Sequence, residues 1–380
     1  MNDLLTKYDE WLNDDSEVAA LVLRQWLVPV EGRDAVIFPP TYAKPERVKE
    51  EDWLGYNIDR FSDGTSVCQI DSVGSQANRI EPIFKRTSYS SLVPQITIRA
   101  GGKEINLLDA GQRAADAIVR FSTLADELRS AFKTWQDDGN AEPLAKIAPT
   151  SIVFGSWDSR DTQAKIPRVL SSVIRAFSVE VLHRSAQYIP PIDYVAENLV
   201  DAPTDGNAQK RLSELGFSHA PAPWTHGGVI AKGEIRRDAK LNLVAIRTLG
   251  TGSNGNPLKL RRYIFGLALV GLTAPQDFNL REGCQLVLDQ GNPSECSLVR
   301  FNGSREEFKL SHKDALCYAQ EAAKDFGVGQ NKTGEFSLES AKKQLAKTKE
   351  DRKAGQRKST ATSAEATSDQ QQTSGGNNNG

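Results

Sequence analysis

The chain has 380 residues, of which 39% are hydrophobic, enough for a substantial core and for two or three domains of ordinary size. The longest apolar run, Tyr263–Leu272, is about half of a membrane-spanning helix, and the N-terminus is acidic where a secretory signal would be basic. The formal net charge is −2, but residues 151–262 carry 15 Lys and Arg against 10 Asp and Glu. We therefore expect a globular, cytoplasmic protein whose middle part is able to contact a polyanion.

Catalytic and metal-binding motifs do not stand out. The sequence has no HExxH, GxSxG, Walker or GxGxxG pattern, and its four cysteines form no CxxC pair: Cys68, Cys284, Cys296 and Cys317. His219 and His226 lie in one proline-rich segment, where an acid–base pair for RNA cleavage, or a metal site completed by a remote cysteine, is conceivable. The two histidines are seven residues apart in a loop, so the sequence does not fix the geometry that either kind of site would need. The sequence predicts no cofactor, no metal and no catalytic residue.

The first elements of the chain are a helix and a strand. Apolar residues at helical spacing predict an amphipathic helix over Asp3–Trp11. The run Ala19–Val30 is too apolar and β-rich for a surface element, so we predict a buried central strand.

A hairpin and a second helix are predicted further on. Leu92–Ile98 and Glu104–Leu108 flank the Gly101-Gly102 pair, a pattern typical of a β-hairpin. The apolar spacing over Ala110–Leu128 predicts one amphipathic helix.

The segment Asp71–Ile83 is the first of two polar clusters. Its hydrogen-bonding side chains crowd together where a helix begins: Ser72, Ser75, Gln76, Asn78 and Arg79. A helix start with free N–H groups is a good anion site. The alternative is an N-capped helix whose first turn is simply solvated.

The segment Ser151–Ala176 is the second polar cluster and the most informative part of the sequence. Its run Ser151–Phe154 predicts a short strand, and Gly155-Ser156 then opens a polar loop. The loop carries many donors: Ser156, Ser159, Arg160, Thr162, Gln163, Lys165 and Arg168. Such side chains contact phosphate backbones in protein–nucleic acid complexes. The alternative is a solvated loop whose charge is balanced by Asp158 and Asp161.

The second half contains an inserted piece and a buried helix. Val179–Tyr188 predicts a strand, and the proline-rich Ile189–Gly228, with a helical fragment at Ala208–Leu215, predicts a projecting arm. Leu258–Leu272 predicts a buried helix with Arg261 and Arg262 in its first turns. Cations there do not complement the helix dipole, which hints at an external anion.

The C-terminal part is predicted to close the core and then to become disordered. Short strands at residues 284–289 and 296–301 precede a closing helix, His312–Phe326, with which we expect the core to end. A charged helix is predicted at 336–353. From about residue 353 the Ser, Thr, Gln, Gly and Asn mixture predicts disorder.

Five motifs together resemble one known family. They are SVGSQANRIEP (Ser72–Pro82), DAGQRAADA (Asp109–Ala117), PTSIVFGSWDS (Pro149–Ser159), IPRVLSSVIRA (Ile166–Ala176) and RRYIFGLALV (Arg261–Val270). From about residue 15 to about 300 the chain resembles the RAMP-superfamily backbone subunit of the type I-G, formerly I-U, CRISPR Cascade complex. Gln112 departs from the His associated with that family, and we assign it no role.

The resemblance implies an α+β fold built like a hand: an RRM-like (ferredoxin-like) antiparallel-sheet palm with inserted finger and thumb regions and a disordered C-terminal tail. The domains would then be residues 1–188 for the N-terminal part of palm and finger, 189–228 for a thumb-like insertion, 229–330 for the C-terminal part of the palm, and 331–380 for the charged helix and tail. The predicted hairpin, helices and late strands suit such an arrangement.

The resemblance also implies a function. Subunits of this kind bind crRNA, stack as copies of themselves into a helical filament with other Cascade subunits, and present the guide for pairing with target DNA. Carried over by motif, the RNA contacts would be Ser75, Gln76, Asn78, Arg79, Ser156, Arg160, Lys165 and Arg168, with Arg261 and Arg262 as weaker candidates. No aspartate matches the cleaving loop of type III relatives, so we expect a non-enzymatic protein. The alternatives are a RAMP-type endoribonuclease that processes precursor crRNA and a scaffold protein without nucleic acid.

Overall fold

The computed structural model describes residues 2–49, 53 and 55–347, so the predicted disordered tail lies outside the described residues. The strands are β1 Val18–Pro29, β2 Ile58–Arg60, β3 Ser66–Asp71, β4 Ile96–Ala100, β5 Lys103–Asn106, β6 Ser156–Trp157, β7 Lys165–Ile166, β8 Leu170–Phe177, β9 Val179–Tyr188, β10 Ala220–Ala231, β11 Ile235–Asn242, β12 Asn279–Arg281, β13 Cys284–Leu288, β14 Glu295–Arg300, β15 Arg305–Glu307 and β16 Lys332–Glu335.

The helices are α1 Asn2–Thr6, α2 Asp9–Leu12, α3 Val73–Ile80, α4 Ala117–Arg120, α5 Ala125–Asp138, α6 Glu142–Ile147, α7 Pro149–Val153, α8 Gly206–Glu214, α9 Leu243–Arg247, α10 Pro257–Thr273 and α11 His312–Phe326. Short 3₁₀ turns occupy Glu81–Lys85, Ser90–Leu92, Leu107–Asp109 and Arg113–Ala115. Residues 338–347 are also helical, within the span predicted as a charged helix.

The mixed α+β class is confirmed, and its centre is an antiparallel sheet. The strand order is β12-β13-β1-β11-β8-β3-β2, with β14 beside the first half of β1 and β15 beyond β14. The predicted central strand is confirmed as β1, which pairs with β11 along one edge and with β14 and β13 along the other. All but one of its residues are at least partly buried, which agrees with its largely apolar sequence.

One face of this sheet is buried under helices and loops, whereas the other carries partly exposed charged side chains such as Arg24, Arg236 and Asp238. The predicted buried helix is confirmed as α10, whose residues from Tyr263 to Leu272 are all buried, and it packs against α11 and the sheet. A smaller core cluster contains Tyr56, Cys68, Val229 and Cys284. This cluster lies on the same face as the main one, because Ile235 of the smaller cluster and Leu241 of the main cluster are on the same side of β11.

The late elements agree with the sequence except at the end of the core. Strands β13 and β14 and helix α11 are confirmed. The expectation that the core ends with Phe326 is wrong, because β16 pairs in parallel with β4 of the predicted hairpin. That hairpin is confirmed as β4–β5, and both Gly101 and Gly102 have the positive φ that its turn requires.

Two predicted helices are interrupted. The stretch Ala110–Leu128 contains a 3₁₀ turn, the short α4 and only the beginning of α5, because the side chains of Asp116 and Ser122 cap backbone N–H groups within it. The N-terminal helix is likewise divided at Tyr8 into α1 and α2.

The predicted strand Ser151–Phe154 is wrong. Residues 149–153 form α7, which Pro149 opens at the first helical position. All five residues of α7 are buried, so the helix has no polar face that would reveal its period. A short apolar run of this kind does not distinguish a strand from a buried helix.

The arm is more regular than its sequence indicates. The predicted strand is confirmed as β9, and β10 pairs with it from Ala220 opposite Tyr188 to Ala231 opposite Val179. The predicted helical fragment is confirmed as α8. The boundary at Gly228 therefore cuts through a strand, and the arm is a β-ribbon whose tip spans residues 189–219.

Candidate nucleic-acid interface

The first polar cluster is organised by an acidic residue, Asp71, at the end of β3. Its buried carboxylate accepts hydrogen bonds from Ser75 Oγ at 2.7 Å, Gln76 Nε2 at 2.7 Å and Arg79 Nε at 3.1 Å. Arg281 Nη2 lies 3.4 Å from the same carboxylate. Ser72 caps α3 by accepting the Ser75 N–H at 3.1 Å. The donors that the sequence offers to an anion are thus directed to this internal carboxylate.

Gln76 illustrates the consequence. Its side chain is fully buried, and its Oε1 accepts a hydrogen bond from Ser172 Oγ at 2.7 Å. Arg79 is partly exposed, but its Nη2 donates to the Leu280 carbonyl at 2.5 Å. In this conformation Ser75, Gln76 and Arg79 join α3 to the rest of the fold, so their side chains are engaged internally.

Asn78 connects α3 to the second polar cluster through Arg113. Asn78 Oδ1 accepts a hydrogen bond from Arg113 Nη2 at 3.1 Å, and Arg113 Nε lies 2.7 Å from Glu81 Oε2. Burial raises the pKa of Glu81 to about 7, although the charge of Arg113 and a hydrogen bond with Thr150 lower it. Arg113, which is buried and paired with Glu81, therefore links the first polar cluster to the lining of the second.

The second polar cluster forms an open cleft of about 470 Å³, which we call the basic cleft. It is lined by Gly111, Gln112, Arg113, Gly155, Ser156, Trp157, Ser159, Lys165, Ile166 and Arg168. Three of the predicted RNA contacts therefore meet here: Ser156, Lys165 and Arg168. A fourth, Arg160, lies beside the cleft and donates from Nη1 to Gln112 Oε1 at 2.9 Å.

A short hairpin and one glycine give the cleft its shape. Strands β6 and β7 place Ser156 opposite Ile166 and Trp157 opposite Lys165. Gly155 ends α7 with φ +76°, and a Cβ there would lie 3.0 Å from the Cβ of Arg168. Only glycine combines that backbone conformation with so close a neighbour. The Arg168 side chain is fixed by a hydrogen bond from Nε to the Phe154 carbonyl at 2.6 Å.

The two aspartates that would compensate the loop are directed elsewhere. Asp158 is buried and accepts hydrogen bonds from the Thr162 N–H at 2.9 Å and Oγ1 at 2.7 Å. Asp161 pairs with Arg129 at 2.7 Å. Among the described residues that line the cleft, none is acidic. Neither aspartate of the loop therefore pairs with the cations that line the cleft.

The electrostatics of the cleft favour an anion. Burial, together with the nearby Arg113 charge, lowers the pKa of Arg168, which means that its charged form lacks full compensation. Lys165 is exposed, and its Nζ lies 4.9 Å from the centre of the Trp157 ring. Trp157 is itself 56% exposed, an unusual position for so large an aromatic side chain. The cleft thus combines cations with one flat apolar surface.

Residues 21–181 match the family model described as CRISPR-associated protein GSU0053. The match indicates a CRISPR-associated protein. It covers both polar clusters and the whole basic cleft, and it agrees with the CRISPR resemblance of the motifs. No curated protein matches the chain.

The two weaker RNA candidates of this CRISPR-associated protein are engaged inside the fold. Arg261 is buried and donates to the carbonyls of Leu12, Arg247 and Leu249, and it pairs with Asp14 at 2.8 Å. Arg262 contacts both carboxylate oxygens of Asp9, at 2.8 and 2.5 Å. The prediction of an external anion at these two arginines was wrong, because Asp14 and Asp9 supply their counter-charges.

The two histidines considered for RNA cleavage do not approach each other along the arm. His226 lies on β10 opposite His183 and against Tyr56, whereas His219 precedes that strand. Seven residues of extended chain separate them by roughly 20 Å, too far for an acid–base pair. Within the described residues there is no cluster of three metal-binding side chains, and no helix there has the length and apolarity to cross a bilayer.

Sequence reasoning missed three residues of this region: Asp71, Arg113 and Trp157. Arg113 lies in the DAGQRAADA motif, whose small residues indicate close packing and give no sign of a role for its charge. Asp71 precedes a cluster of donors, and that proximity was the available signal that the donors already had an internal acceptor. Trp157 was visible as the lone aromatic of its loop.

Proposed function

We propose that this CRISPR-associated protein is a crRNA-binding backbone subunit of a type I-G Cascade complex. The observation that carries the proposal is the basic cleft, where Lys165 and Arg168 line a surface free of acidic residues among those described. The family match lies over the same segment. A cytoplasmic location follows from this role.

The chemistry of the cleft suits the phosphates of a single strand. Lys165 and Arg168 supply charge, while Ser159 and Gln112 supply neutral hydrogen-bonding groups. Arg160, which holds Gln112, adds a third cation at the rim. Backbone contacts of this kind carry no sequence information, so the sequence is read by pairing of the guide with target DNA.

The arrangement of the strands supports an RRM-like palm. In chain order, β1, α3, β8, β11, α10 and β13 alternate as β-α-β-β-α-β, and β13, β1, β11 and β8 lie side by side. The β9–β10 arm then takes the place of the thumb. Its tip exposes Ile189, Leu199 and Leu215, which suits contact with another copy or with other Cascade subunits along the guide.

The proposed role is non-enzymatic. What supports this is the make-up of the cleft, whose lining offers cations and neutral donors but neither a histidine nor a carboxylate among the described residues. A ribonuclease of the RAMP type would need a general base beside the RNA. Incubation of the purified protein with precursor crRNA should therefore leave the RNA uncut.

Substitution in the cleft tests the proposal. Lys165→Gln and Arg168→Gln should each weaken binding of a single-stranded guide RNA about tenfold to hundredfold, because each removes a charge-assisted hydrogen bond of about 1.5–3 kcal/mol. Fluorescence anisotropy measures the affinity, and circular dichroism checks the fold.

The matched control is Lys133→Gln on the exposed side of α5, which removes the same charge outside the cleft. It should change affinity less than about twofold. Equal losses for all three variants would mean that binding depends on overall charge, and the cleft would then lose its role.

A further inference from the structure

A second cavity, about 730 Å³ in volume, lies against the part of the sheet that contains β13 and β14. It is bounded by β1, β11, β13, β14, the end of α10 and the segment around residues 308–312. Its walls are mainly apolar, with Leu23, Leu272, Leu286, Phe308 and Leu310 among them. The volume falls within the ~300–1,000 Å³ typical of small-molecule sites.

A buried arginine without a counter-charge lines this cavity. Arg237, on β11, is 2% exposed. Its Nε donates to Ser172 Oγ at 2.8 Å and its Nη1 to Gln25 Oε1 at 2.6 Å, and both acceptors are neutral. Its buried Nη2 has no hydrogen-bond partner among the described residues. Burial lowers the pKa of Arg237 to about 10, so the side chain still carries its charge at neutral pH.

The other buried arginines show what Arg237 lacks. Arg113 has Glu81 at 2.7 Å and Arg261 has Asp14 at 2.8 Å. A buried charge costs several kcal/mol unless it is paired. Asp277 is the acidic residue among the described lining of the cavity, but it is exposed and its side chain accepts the Asn279 N–H at 3.2 Å. An uncompensated cation beside an apolar cavity is a recognition element for an anion with an apolar body.

The number of donors indicates which anion fits. Two donors in the lining have no hydrogen-bond partner among the described residues: Nη2 of Arg237 and the buried Nε2 of Gln276. Two donors suit the two oxygens of a carboxylate, whereas a phosphate dianion is usually held by more. Thr273, also in the lining, already donates from Oγ1 to the Leu269 carbonyl at 2.8 Å. We propose that the cavity binds a small apolar carboxylic acid, its chain or ring against the leucine and phenylalanine walls and its carboxylate directed at Arg237.

Cys296 provides a native reporter for this site. It lines the cavity, whereas Cys317 is exposed on α11 outside it, and Cys68 and Cys284 are buried elsewhere. Burial raises the pKa of the Cys296 thiol to about 11, so labelling with N-ethylmaleimide at about pH 8.5 is slow enough to follow. Peptide-mapping mass spectrometry gives the labelling rates of both thiols in the same sample.

The test compares decanoate with decanol on the full-length protein. Decanoate should slow labelling of Cys296 at least about fivefold and leave labelling of Cys317 unchanged. Decanol has the same chain but no charge, so its protection of Cys296 should be at least about threefold weaker, a difference of roughly 0.65 kcal/mol. In Arg237→Met the two compounds should become equivalent. The comparison of decanoate with decanol on the wild-type protein tests the proposal even if Arg237→Met fails to fold.

Three results would overturn the proposal. Equal protection by acid and alcohol in the wild-type protein would remove the carboxylate specificity, and absence of protection by either would remove the site. Slower labelling of Cys317 as well would show a general effect on the protein.

Discussion

Asp71→Asn should lower the free energy of unfolding by about 3 kcal/mol. The substitution removes the charge that Arg79 and Arg281 share and turns an amide N–H₂ towards at least one of four donors. Breaking a buried ion pair from one side costs about 3–5 kcal/mol, and the lower end applies because both arginines are partly exposed. Urea denaturation followed by circular dichroism measures the change.

Asp59→Asn is the matched control for this prediction. Asp59 lies on the adjacent strand β2, where its side chain is exposed. The same change of charge there should alter stability by less than about 0.5 kcal/mol. If Asp71→Asn were equally mild, the carboxylate would not organise the first polar cluster, and the donors around it would again be available to an external ligand.

Replacing residues 189–219 by Asn-Gly should leave a folded protein that no longer assembles on guide RNA. Tyr188 and Ala220 already face each other across the ribbon, so a two-residue turn closes it. No described side chain between 189 and 219 belongs to either core cluster, and thermal stability should therefore change little. Size-exclusion chromatography with guide RNA should show a loss of oligomers of at least about tenfold, or 1.4 kcal/mol.

A milder pair of variants separates tip contacts from loss of the whole segment. Leu199→Ser with Leu215→Ser removes two exposed side chains at the tip, and Leu338→Ser with Leu345→Ser removes two that are equally exposed in the C-terminal helical segment. The first pair should weaken assembly and the second should not. Aggregation of the shortened protein would instead show that the tip is part of the fold.

Elements with a strong local pattern could be predicted, and those decided by distant partners could not. The first residues of β9 and α11 could be predicted from local sequence, because Ser178 precedes the apolar run of β9 and Ser311 caps α11. Helix α7 could not, since the direction of its side chains depends on the helices that bury it. The long helix over 110–128 failed because short-range caps at Asp116 and Ser122 outweigh apolar spacing.

The same distinction holds for the candidate site. Ser156, Lys165 and Arg168 could be grouped in advance because they lie close together in the sequence. In the structure one short hairpin carries the first two, and a hydrogen bond to the Phe154 carbonyl holds the third. Gln76 was assigned to the RNA surface because sequence does not reveal which side of a helix start faces the sheet. Its true partner, Ser172, lies 96 residues away.

The most direct measurement of the central claim is the affinity for single-stranded guide RNA as a function of salt. With contacts from Arg160, Lys165 and Arg168, about three phosphates per subunit are neutralised, so log K should fall with log salt at a slope near −2 per subunit. Two guides of unrelated sequence should bind within about tenfold of each other, or 1.4 kcal/mol. A flat salt response, or a preference larger than that for one guide, would contradict the account, because phosphate contact predicts neither.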